Sequence, residues 1–294
     1  MKNYCRALLA ITLVTLSACG SAPPTQFAEF AKLGTALTDS TPPLLDAAFA
    51  EAVSADSIVL SQARTASMPP EERLDMLEKS STLLRERLTI YADLTRHSRL
   101  LRSYFLTLGL LADTTGDSKI GDGAKGIVDQ LSALHPKLET ATVGDFAVAE
   151  FVKAAAPIAV GAFRSAALQR ELEARADAIT KELDLQQAVL TAIAEQMRAD
   201  IGLRLQKQNR ERIEMPFIEA GELPADWTDR RVNSLKTPIT LTAVEAAAAA
   251  SENLRVSFIA LSEGDSAGGS LSQLLQDVST VVSLVETLKK SPQP

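Results

Sequence analysis

Apolar residues recur along most of this chain at alternating steps of four and three, the spacing of one helix face. The pattern is clearest from Ser165 to Gln208. There Leu172, Ala176, Ile179, Leu183, Gln186, Leu190, Ile193 and Met197 alternate without fault, and Ile201 and Leu205 continue at steps of four. Those last steps form a stutter that relaxes the left-handed winding of a coiled coil. Glu171, Arg175, Lys181, Glu182 and Arg198 fall off the seam, whereas Gln186 falls on it and is expected to set register. A second long pattern opens at Pro69-Pro70-Glu71-Glu72, prolines and first-turn acids that favour a helix start. Leu77, Ser81, Leu84, Leu88 and Tyr91 form its stripe, and Leu94, Leu101, Phe105 and Leu108 resume it after a slip. A helix over 69–113 is roughly 65 Å long at about 1.5 Å per residue. The expected fold class is therefore all-α: an elongated antiparallel helical bundle with two long coiled-coil-like helices, about 69–113 and 158–214. One seam alone also leaves a homodimer open.

Shorter elements fill the rest. Phe27, Phe30, Ala31 and Leu37 predict a first short helix, with Thr41-Pro42-Pro43 as a break and Thr41 capping a restart from Leu44 to about Ala66. The glycines and aspartates between Asp113 and Gly126 predict a loop. A short helix is expected over Ile127–Leu134, ending at His135-Pro136. Thr142-Val143-Gly144-Asp145 is expected to cap the long helical run, with Pro157 kinking or splitting it. Three prolines make Met215–Pro238 irregular. Thr242 with Glu245, and Ser270 with Gln273, read as capping boxes of two final helices. The first carries Leu254, Phe258 and Leu261. The second carries Leu274, Val278, Val281, Val285 and Leu288, and Lys289 and Lys290 suit its negative end. No strand and no internal repeat is predicted.

Composition sharpens this picture. Hydrophobic residues make up 46% of the chain but aromatics only 4%, so the apolar content is largely Ala and Leu, which suits closely packed helices. The N-terminus has its own layout: Lys2 and Arg6, an apolar run from Ala7 to Leu16, then Leu16-Ser17-Ala18-Cys19. This is the order of a secretory signal, too short for a permanent span. Leu-Ser-Ala-Cys resembles the lipobox of bacterial lipoproteins. The resemblance implies cleavage before Cys19 and its lipidation, several acyl chains making a stable membrane anchor. It divides the chain into a signal peptide (1–18), a lipidated tether (19–26) and one helical-bundle domain (27–294). Gly20, in place of an inner-membrane retention aspartate, implies the outer membrane, facing the periplasm. With Cys5 discarded and Cys19 lipidated, no thiol remains for a disulfide, a metal or a nucleophile. Removing Lys2 and Arg6 also takes the formal charge from −7 to −9, which disfavours nucleic acid as a partner.

Candidate chemistry is sparse. His97, among Arg96, Arg99 and Arg102, reads as a solvated helix residue, and His135 as a helix-ending one. Neither has ligands at zinc spacing. From Asp113, the sixth and twelfth loop positions are Ser118 and Ala124, which fails the calcium-loop pattern. Phe146–Phe163 is apolar but broken by Glu150, Lys153 and Pro157; it reads as a core helix, with membrane insertion as the alternative. Trp227, with Asp226, Asp229, Arg230 and Arg231, is the candidate partner contact, since Trp and Arg dominate binding hot spots. No phosphate loop, nucleophile elbow or HExxH motif is present. The expectation is a non-enzymatic adaptor, spacer or partner-binding protein without metal or cofactor, joined to a protein partner or to itself. A membrane-active protein inserting 146–163, or a hydrolase with an unfamiliar site, is the alternative.

Overall fold

The computed structural model describes residues 22–113, 142–143, 146–147, 164–219, 221–236 and 238–290. Three long helices dominate: α1 (Pro24–Ala63), α2 (Pro70–Asp113) and α3 (Arg164–Asn209). A π-helical turn, Arg210–Glu214, leads from α3 into α4 (Met215–Ile218) and α5 (Trp227–Ser234). The long helices α6 (Ile239–Ser262) and α7 (Gly268–Lys290) complete the bundle. The all-α class holds, and 40, 44 and 46 residues make α1, α2 and α3 each roughly 60–70 Å long at about 1.5 Å per residue.

Helix α1 is the axis of the bundle. It lies along α2 on one side and touches α3, α6 and α7 on others, while α3 runs along α6 and α6 along α7. Phe30 shows why: its ring meets Phe105 of α2 edge-on at 5.5 Å and Phe258 of α6 at 6.0 Å. The predicted α3 seam is the buried one, with Ala176 and Leu205 only partly covered. Helices α2 and α3 are antiparallel, as expected, and polar pairs bridge them, Arg87 with Asp200 at 2.9 Å and His97 with Glu182 at 2.8 Å.

Several local expectations are overturned. Helix α1 runs unbroken through Pro42 and Pro43. Each proline removes a backbone donor, yet Leu33, Leu37, Leu44, Leu45 and Ala48 on either side are all buried in one core. Each such leucine contributes about 1.5–3 kcal/mol, more than the roughly 3 kcal/mol of one proline when summed. Thr41 caps nothing; its hydroxyl donates to the Leu37 carbonyl. Residues 22–26, assigned to a tether by the sequence, join the bundle instead: Ala22 is buried and Pro24–Gln26 belong to α1. Gln26 holds this start, accepting from the Ala267 amide at 3.2 Å.

Neither capping box forms. Helix α6 starts three residues before Thr242 and α7 two before Ser270, so that Leu241 and Leu271 are buried within helical turns. The hydroxyls of Thr242 and Ser270 donate to Pro238 and Ala267 carbonyls instead. Thr142–Val143 and Phe146–Ala147 pair as a two-residue antiparallel ladder (β1 and β2) where a cap and a core helix were expected. Thr142 and Val143 are β-branched, and their preference for extended pairing outweighs the capping reading of Thr142. The loop predicted after Asp113, the helix predicted over Ile127–Leu134, His135 and Pro157 lie outside the described residues, as do Cys19 and the segment 1–18 read as a signal peptide.

The first half of the α2 stripe is only partly covered: Leu77 and Leu88 are exposed and Leu84 half-buried, whereas Tyr91, Leu94, Leu101, Phe105 and Leu108 are buried. Near the start of α2, Ser80 donates to Asp56 of α1.

Candidate functional site

The two ends of the bundle differ. Ala22, the α6–α7 connection and the last turns of α2 form one end, joined by the Gln26–Ser266 contact and by packing of Gly109 on Ala31. The other end gathers the close of α1, the start of α2, the close of α3, the π turn, α4 and α5. Arg204 pairs there with Glu51 at 3.2 Å and Lys207 donates to Ser61 at 3.1 Å.

The π turn gives this second end its form. Pro216 has no N–H for the Arg212 carbonyl, so an α-helical bond is lost at that point. The Met215 amide reaches back to the Arg210 carbonyl instead, and the wider turn redirects the chain. Trp227 at the first position of α5 then packs back on it, its Nε1 donating to the Ile213 carbonyl at 3.1 Å. Phe217 stacks on the indole with ring centres 5.9 Å apart, and the Arg231 guanidinium stands 5.5 Å from the ring centre. Arg230 turns another way and binds Asp226 at 2.7 Å. The three predicted contact residues are thus brought to one head, with Trp227 as its pin and the two arginines on different faces.

Arg230 lines a cleft of about 390 Å³ between α3, the π turn, α5 and the extended entry to α6. Arg204, Arg212 and Lys236 line it too, and no Asp or Glu among the described residues does. Gln208, Asn209 and Asn233 supply amides, and Ile213 and Ile239 supply apolar walls. Glu51 and Asp226 neutralise Arg204 and Arg230 from outside, so Arg212 and Lys236 carry the uncompensated charge. The Asn209 Oδ1 atom is buried with no hydrogen-bond partner among the described residues.

A second constellation lies between α2 and α3, and the sequence reading missed it. His97 is fully buried, not solvated, with Nδ1 donating to the Glu182 carboxylate at 2.8 Å. Glu171, Arg175, Glu182 and Gln186 are all buried. Gln186 lies on the apolar seam, as expected, while Glu171, Arg175 and Glu182 each fall one position before a seam residue, on the face toward α2. A charged residue at such a position reads as solvated from sequence alone, which is why these three were missed. Arg175 donates to Glu171 at 3.3 Å, yet burial holds the Glu171 carboxyl above its usual range. Burial also pushes the Tyr104 hydroxyl well above the ordinary tyrosine range, with the Glu171 charge adding to it. Tyr104 Oη, Ser98 Oγ, Glu171 Oε2 and Gln186 Nε2 have no hydrogen-bond partner among the described residues. Among those residues, too, no group of three or more His, Cys, Asp or Glu could hold a metal ion, and no helix is long and apolar enough to cross a membrane.

Fold and head together define an elongated all-α bundle with a buried polar seam and a basic, aromatic end. No family model matches the chain, and neither a curated protein nor a solved structure is similar to it.

Proposed function

We propose that this protein is a lipid-anchored helical rod of the bacterial cell envelope, non-enzymatic, which binds a protein partner through its α4–α5 head. The observation that carries the reading is the concentration of exposed apolar surface there. Phe217, Ile218 and Leu235 are each about 70–80% exposed, and Leu74, Leu77 and Leu83 at the start of α2 are exposed at the same end. Large apolar side chains gathered on one surface mark interaction sites, whereas scattered ones do not. Trp227 and Arg231 beside them are the residue types that dominate binding energy. The lipobox-like Leu16-Ser17-Ala18-Cys19 supports the anchor and the outer-membrane, periplasm-facing address.

The test places a photo-crosslinking amino acid at Phe217 and, as a control, at Leu106, which is exposed on the opposite half of the rod. In intact cells Phe217 is expected to yield one defined protein adduct, a second copy of the chain included, and Leu106 none. Equal, diffuse labelling from both positions would refute a dedicated head.

A further inference from the structure

We infer that the cleft beside the π turn is a binding site for a small phosphate monoester with an apolar body. This goes beyond the partner reading and does not depend on it.

Four observations converge. The cleft volume of about 390 Å³ falls in the range of small-ligand sites, roughly 300–1,000 Å³. The lining is basic on a chain whose formal charge is −7, so the local sign opposes the global one. Arg212 and Lys236 line one hollow without an acid between them, and such like charges repel unless an anion offsets them. Arginine forks match the geometry of oxyanions, and Arg212 and Lys236 retain charge that no carboxylate in the lining offsets. Finally, a π turn builds the wall that carries Arg212, and such turns recur at functional sites.

The uncompensated charge selects among anions. Arg212 and Lys236 together present two positive charges that no carboxylate in the lining offsets. A carboxylate near neutral pH carries only one negative charge. A phosphate monoester, with its second pKa near 6, carries about −1.5 to −2 and three acceptor oxygens, and so answers both cations. Ile213 and Ile239 would face the organic portion. The cleft lies at the far end of the rod from Ala22, so headgroups of the anchoring bilayer are not its source of phosphate.

The experiment is titration calorimetry on the full mature protein in nanodiscs of zwitterionic lipid, with phenyl phosphate, benzoate and phenol as probes. Phenyl phosphate is expected to bind at least tenfold more tightly than benzoate, and phenol not at all. Arg212→Ala, a change at an exposed position, should weaken phenyl phosphate at least tenfold, while Arg231→Ala, on the Trp227 face, should leave it within twofold. Circular dichroism of both variants checks that the helices persist. Benzoate binding as tightly as phenyl phosphate would overturn the phosphate assignment. Absence of any anion binding, or equal binding to Arg212→Ala, would overturn the site. Either failure leaves the crosslinking result from Phe217 unaffected, so the two readings fall separately.

Discussion

Glu171 is almost fully buried on α3, and its neighbour Arg175 does not fully compensate the loss of water. Its carboxyl therefore binds a proton more tightly in the folded chain than in the unfolded one. By linkage, the folded state holds more protons in the window from the ordinary glutamate value up to the raised one, so stability falls as pH rises through it. Glu171→Gln removes this titration while leaving an oxygen for Arg175 to donate to. The difference in Tm, variant minus parent, should become more positive as pH rises from below the ordinary carboxylate range toward neutrality. Thermal melts at a series of pH values measure it, and a difference that shrinks with pH would contradict the burial argument. Neither Glu171 nor His97 stands out in the sequence, because a charged residue one step off an apolar seam looks solvated until a neighbouring helix closes over it. The lone tryptophan was easier to read: a large amphipathic ring on an irregular connector needs something to pack on, and here that is Phe217 and the π turn.

At the scale of elements, the long helices α2 and α3 and the seam of α3 were legible, because a sustained apolar period leaves few alternatives to a helix. Partner choice was not. The expected pairing of α2 with α3 is bridged by polar pairs, and α1 takes the apolar face of α2 instead. Gly34 permits that closeness: a Cβ added there would lie 2.6–2.8 Å from three carbons of the buried Phe105 ring. Gly34→Ala should cost about 1–3 kcal/mol through overpacking, less up to about 1 kcal/mol gained in helix propensity. Urea denaturation should show most of the loss recovered in the Phe105→Leu background, where the ring is gone. A Gly34→Ala variant as stable as the parent would mean that α1 and α2 do not cross so tightly. The prolines of α1 illustrate the same limit from the other side. Local chemistry at Pro42 and Pro43 favours an end, and only the core on both flanks keeps the helix continuous.

The whole molecule has polarity. If Cys19 carries the lipid, three residue steps take the chain from it to buried Ala22, a reach of about 10 Å at 3.3–3.6 Å per residue. One end of the bundle would then sit against the membrane, with α1 carrying the basic, aromatic head roughly 60 Å along the rod. Cys19→Ser should move the protein from the membrane fraction to the soluble one, and salt washing of the parent should not. Retention of the variant on membranes would shift the anchor to some other part of the chain.

The order of apolar and polar residues by itself determined the helical class and the long rods, because both depend on spacing along one chain segment. Which faces meet, whether a proline ends a helix, and which charged side chains lose their water were decided only by the tertiary structure. Those outcomes depend on what a distant segment brings alongside, and burial of a shared core outweighs the preferences of a few residues at any one turn.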